Sequence, residues 1–149
     1  MSRKLKYCVN NVLESLDDLE NCLNIYNQSD DSNVKGAIVN SMRMSIVQIQ
    51  EELKKIILTI YTINHKAVTP DENILNSVKF CMDKGYFPKC DLGVFKLLRD
   101  YRNYSCHRYK RPKDSEIIKF CDNIGLLREE FSELLNSTDG LKKSNSFDK

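Results

Sequence analysis

The stretch IVNSMRMSIVQIQEELKKIILTIYTI, residues 38–63, decides the fold. Its apolar residues Ile38, Met42, Ile46, Ile49, Leu53, Ile56, Ile57 and Ile60 recur at steps of three and four, while Gln48, Glu51, Glu52, Lys54 and Lys55 fill the positions between. That spacing lays one greasy stripe along a helix of period 3.6 and predicts a long amphipathic helix over about 33–63. Upstream, Val9, Val12, Leu13, Leu16, Leu19, Leu23 and Tyr26 repeat the pattern from Leu5 to about Tyr26. The polar run NQSDDSN (27–33) between them supplies turn and capping residues. Two long helices joined by so short a turn are expected to pack as an antiparallel hairpin.

Downstream the signals are again helical. In TPDE (69–72) Thr69 suits an N-cap, Pro70 the first helical position and Glu72 the third residue of a capping box, so a third helix is expected to about Lys84, with Gly85 ending it. A fourth helix begins near Leu92 with Leu92, Phe95, Leu98 and Tyr101 inward, and Pro112 closes it. A fifth, about 115–136, is capped by Asp114 or Ser115 and striped by Ile117, Cys121, Ile124, Leu127, Phe131 and Leu134. The fold class is therefore all-α, a bundle of four main helices plus a shorter one with up-down connections. Residues 1–137 form a single domain, and the polar segment 138–149 is read as a disordered tail.

At 149 residues, one core burying roughly 70% of the unfolded chain's surface is expected. The six cysteines, at 8, 22, 81, 90, 106 and 121, form no CxxC pair and no zinc-spaced cluster with the two histidines, which predicts reduced, structural thiols in a cytosolic protein. The most apolar uncharged run, IILTIYTIN (56–64), is far short of the roughly 20 residues a bilayer requires, so no membrane span is expected. No metal-ligand set and no phosphate-cradling glycine loop is present in the sequence, and no cofactor is expected. His65, at a helix end, reads as a capping or solvent-facing residue, and the acids Asp17, Asp18 and Glu20 as a solvated helix face.

The formal net charge is only +2, yet the stretch Arg99–Lys113 holds six basic residues against the single acid Asp100. The remainder is net acidic, so any anion-binding function is local. Such a patch fits a phosphate-binding surface with Tyr101, Tyr104 and Tyr109 as stacking groups, and equally fits cations stabilising a helix C-terminus. Within it, Asn103 and His107 are one helical turn apart and Arg102 and Tyr109 two turns apart, while His107 lies about 140° from Arg102 on an ideal helix. A long arginine can curl toward that histidine, or a second subunit can bring its own set close. A neutral imidazole that moves protons near pH 7, a guanidinium that grips phosphate and an amide that orients oxygens suit phosphodiester chemistry without a metal. Attack by RNA's own 2′-hydroxyl would make such an enzyme blind to DNA.

The run RNYSCHRY (102–109) resembles the RX4HXY signature of HepT-like toxins in the HEPN superfamily, and the helix–loop–helix layout of residues 70–136 is similar to theirs. The resemblance implies a HEPN-type bundle and a metal-independent endoribonuclease acting as a homodimer, paired with a minimal nucleotidyltransferase antitoxin. It implies Arg102, Asn103 and His107 as catalytic residues and Tyr109 as the site where AMP is attached. Arg99, Arg108, Lys110 and Arg111 would form the RNA-attracting rim. Two other readings stay open on these residues: a non-catalytic nucleotide- or substrate-binding subunit of a nucleotidyltransferase complex, and a structural helical adaptor.

Overall fold

The computed structural model describes residues 2–64, 74–105 and 111–147, with side chains described for 3–64, 74–103 and 111–137. All regular structure among the described residues is helical: α1 (Ser2–Gln28), α2 (Ser32–Ile63), α3 (Ile74–Asp83), α4 (Leu92–Ser105), α5 (Asp114–Phe120), a 3-10 turn (Cys121–Asn123) and α6 (Ile124–Phe147). The all-α expectation is met.

The α2 stripe behaves as its spacing requires. Met42, Ile46, Ile49, Leu53, Ile56, Ile57 and Ile60 are buried and face α1 residues Leu5, Val9, Val12, Leu16 and Leu19 across one continuous core. Asp31 caps α2, its carboxylate accepting from the Asn33 and Val34 amides at 2.8 and 3.3 Å. The pairing is antiparallel: Tyr26 meets Lys35 in a cation–π contact at 4.8 Å, whereas Ser15, further back in α1, meets Gln48, further on in α2. α6 covers α1, where Arg128 donates to Asp17 at 3.0 Å and Glu20 at 3.2 Å. Asp17 and Glu20 are thus ion-pair partners rather than a merely solvated face.

α4 lies against α2, with Phe95 and Leu98 buried. The loop before it is built from outside itself. Gly85 ends α3 at φ 92°, and its N–H donates to the Met82 carbonyl at 2.9 Å while the Tyr86 N–H returns to Cys81 at 3.0 Å. Phe87 then adopts φ 54°, a left-handed conformation costing a side-chain-bearing residue about 1–2 kcal/mol. Burial offsets this: the Phe87 ring lies 5.1 Å from Phe95 and 5.7 Å from Phe131. Glu130, 1% exposed, secures the loop by accepting from the Lys89 amide at 2.9 Å and the Cys90 amide at 2.6 Å.

Three differences from the sequence reading stand out. The long fifth helix is divided by the 3-10 turn, where Asn123 Nδ2 donates to the Phe120 carbonyl at 3.2 Å and Cys121 Sγ to Ile117 at 3.5 Å. Side chains that bond the preceding turn in this way compete with the regular ladder. Second, the cap of α5 is Lys113 rather than Asp114 or Ser115: the Glu116 carboxylate accepts from the Lys113 N–H at 3.2 Å, while Asp114 is drawn to Arg43. Third, α6 carries helical backbone to Phe147, into the polar segment 138–149 that composition assigns to a tail, with no proline to interrupt it. The TPDE capping box and His65 lie outside the described residues.

Of the six thiols, Cys8, Cys22, Cys81, Cys90 and Cys121 are free, and all but Cys22 are buried. Burial pushes the Cys81 and Cys90 thiols up to about 12 and Cys121 to about 11, so they stay protonated at neutral pH and act as small apolar groups. Cys106 lies outside the described residues.

Candidate functional site

α4 carries the basic motif at its C-terminal end because its inner face is spent on Phe95, Leu98 and Tyr101, leaving Arg102 and Asn103 to emerge in the last turn. Arg102 is half-buried and Asn103 exposed. The Arg102 guanidinium is held: its Nε donates to Oε1 of Glu51, on α2, at 2.8 Å. Burial would raise the Glu51 carboxyl, but the Arg102 hydrogen bond and the positive charge of Lys54 and Arg102 outweigh it and leave the group below its usual range.

Glu51 also belongs to a second feature. A cleft of about 290 Å³ between α1 and α2 is lined by Glu14, Asp18, Glu51 and Glu52, with Ser15 and Gln48 between them. Basic motif and acidic cleft therefore adjoin through one carboxylate. Among the described residues no group of three or more His, Cys, Asp or Glu side chains is arranged to hold a metal ion.

The expected rim is only partly displayed as an open basic surface. Arg99 is engaged by Asp100 through Nε at 3.0 Å and a terminal nitrogen at 2.9 Å, whereas Arg111 is exposed. Tyr101, expected as a stacking group, is buried edge-on against Phe120 with ring centroids 5.7 Å apart, and its hydroxyl donates to the Glu116 carbonyl at 3.5 Å. Burial, and then the charges of Glu116 and Asp100, raise its hydroxyl above the ordinary tyrosine value. It is a core residue and cannot stack on a base. Cys106, His107, Arg108, Tyr109 and Lys110 lie outside the described residues, as does the Tyr104 side chain.

The chain after this segment is anchored by a residue the sequence reading missed. Arg43, on α2 and 8% exposed, donates through one terminal nitrogen to the Pro112 carbonyl at 2.6 Å and to Asp114 Oδ1 at 2.8 Å, and through the other to Asn40 at 2.8 Å. A signal was available: Val39, Met42, Arg43, Ile46 and Gln50 share the register of the buried stripe, and an arginine placed there needs a partner on another element. Glu51 had no such signal, because it sits on the outer half of α2 among other charges.

No protein-family model, no curated protein and no solved structure matches this chain. Among the described residues, no helix is long and apolar enough to cross a membrane.

Proposed function

We propose that this chain is a HEPN-type endoribonuclease toxin, metal-independent, homodimeric and paired with a minimal nucleotidyltransferase antitoxin. The observation that carries the reading is the sequence Arg102-Asn103-x3-His107-x-Tyr109, whose first two residues fall where α4 of an all-α fold brings its last turn out of the core. Arg102 would bind the scissile phosphate and the charge that builds on phosphorus, with Asn103 orienting oxygens beside it. His107 would take the proton from the 2′-hydroxyl as that oxygen attacks phosphorus. The 5′-oxygen then leaves with a proton from the matching histidine of the second copy, giving a cyclic phosphate and a free 5′-hydroxyl. Attachment of AMP to Tyr109 would set a bulky anion beside this machinery and exclude RNA by sterics and repulsion. Arg108, Lys110 and Arg111, with Arg99 partly offset by Asp100, would draw the RNA backbone in.

Incubation of the purified protein with mixed RNA in EDTA tests the reading. Wild type is expected to cut RNA but not the equivalent DNA, and His107→Ala and Arg102→Ala to lose cleavage while keeping wild-type circular dichroism. Undiminished cleavage by both variants would refute it. The second reading, a non-catalytic nucleotide-binding subunit of a nucleotidyltransferase complex, draws on the Glu51–Arg102 pair, which holds a guanidinium that would bind a nucleotide's phosphate without calling for chemistry. It predicts nucleotide binding with RNA left intact.

A further inference from the structure

We infer that the open face of the α1–α2 hairpin is a docking groove for a partner protein's helix that is apolar at both ends and basic in its middle. This goes beyond the nuclease reading and does not depend on it. On α1, Tyr7, Glu14, Asp18 and Ile25 are separated by seven, four and seven residues and so share one stripe. On α2, Met44, Gln48, Glu51, Lys55 and Leu58 follow at alternating steps of four and three, the spacing of a helix-packing seam. The Ser15–Gln48 contact fixes the antiparallel register, which sets Tyr7 level with Leu58 at one end of the groove and Met44 and Ile25 toward the other. Between the ends lies the cleft lined by Glu14, Asp18, Glu51 and Glu52.

Two independent observations agree on the occupant. The first is apolar exposure: Tyr7, Ile25, Met44 and Leu58, four of the six exposed large apolar side chains among the described residues, are 44% to 66% exposed, and all four flank this cleft. Exposed apolar groups scattered singly are ordinary, whereas a set gathered on one face around a polar centre marks a contact surface. The second is charge. Glu51 is paired with Lys54 and Arg102, and Glu52 with Lys55. Glu14 and Asp18 are exposed, pair with no cation among the described residues and, one helical turn apart, repel each other. Lysine or arginine side chains entering from above would relieve that repulsion. The dimensions suit a helix: Met44 and Leu58 are 14 residues apart, about 21 Å of axis, and Tyr7 and Ile25 are 18 apart, about 27 Å. A free polycation would leave the apolar ends in water, and an anionic membrane surface would be repelled by the acids. A second copy docked about a two-fold axis would set the same acids against themselves.

The probe is a fluorescein-labelled, alanine-rich peptide of about 18 residues, with leucines at the two ends of its seam and lysines between them. It is titrated with the full-length protein and followed by fluorescence anisotropy. Binding is expected to weaken about 5- to 10-fold in the double variant Glu14→Gln, Asp18→Asn, which removes two surface charge pairs. Met44→Ser should weaken it roughly 10-fold. Asp17→Asn, on the edge of α1 that faces α6, should leave it unchanged. All of these side chains are exposed, and circular dichroism checks that each variant keeps its helix content. The same peptide with glutamates in place of the lysines is expected not to bind. No binding of the lysine peptide at about 1 mM, equal binding of the glutamate peptide, or an affinity unchanged in both groove variants would overturn the inference. Sedimentation of the protein alone separates a partner helix from a second copy. Concentration-dependent dimerisation that Met44→Ser abolishes would assign the face to a homotypic contact and overturn the inference, and identical sedimentation of wild type and Met44→Ser supports it.

Discussion

Replacing Glu130 should loosen the loop that leads into α4, and the two available substitutions should do so unequally. Its buried carboxylate accepts the Lys89 and Cys90 amides, so Glu130→Ala strands two donors, one of them in a buried setting. An unmet buried donor costs about 1–3 kcal/mol, and bonds to a charged acceptor lie toward the upper part of that range. We expect Glu130→Ala to lose about 3 kcal/mol, a large part of the roughly 5–15 kcal/mol typical of a domain. Glu130→Gln keeps one acceptor oxygen of the same shape and should lose about half as much, on the order of 1.5 kcal/mol. With a urea m-value of about 2 kcal/mol/M, the unfolding midpoint should drop by roughly 1.5 M in the first case and roughly 0.8 M in the second. A loss below about 0.5 kcal/mol in Glu130→Ala, or equal losses in the two variants, would show that the loop is not held by this carboxylate.

Other expectations concern single groups. Ser77 is fully buried with its hydroxyl oxygen unpartnered, so Ser77→Ala should be neutral or stabilising by up to about 1 kcal/mol, read as a raised Tm. The Glu51 carboxyl is lowered in the fold, so its pair with Arg102 adds stability above the ordinary carboxylate value and loses it as pH falls through the folded value. Glu51→Gln should therefore flatten the acid limb of a Tm–pH profile below about pH 5, by a small amount because both partners are partly exposed. Cys81, Cys90 and Cys121 are raised, so the fold keeps them protonated where the unfolded chain would ionise. Stability is full below about pH 9 and declines above it, and native protein at pH 8 should react with a thiol reagent at these positions only after unfolding.

What the sequence made legible was whatever repeats locally. The α2 stripe, the Asp31 cap and the Gly85 stop each show within a few residues, because helix periodicity and turn chemistry are short-range. The 3-10 interruption was hidden because Cys121 and Ile124 still satisfy the apolar period. Its cause is side-chain hydrogen bonds from Asn123 and Cys121, which hydropathy does not see. Asp114 looked like a cap until a guanidinium 71 residues away claimed it. At the candidate site Arg102 was legible from spacing and Glu51 was not, since a carboxylate 51 residues distant becomes a partner only when α2 and α4 cross. Tyr101 was placed inward by the α4 stripe and also offered as a stacking group by the basic run; the stripe was right, because charge density says nothing of which way a helix turns its faces.

The loop that delivers the chain to α4 has an implication for how the protein is made. Phe87 is held in its left-handed conformation by Phe131, and Cys90 is held by Glu130, 40 residues further along. During synthesis residues 84–91 emerge long before either partner exists. Until α6 has been translated and has docked on α1, the Phe87 backbone has only Phe95 to offset it, and the Lys89 and Cys90 amides lack their acceptor. The loop that leads into α4 is thus completed only once α6 has been made, and a nascent chain stopped before α6 would carry Arg102 without that support.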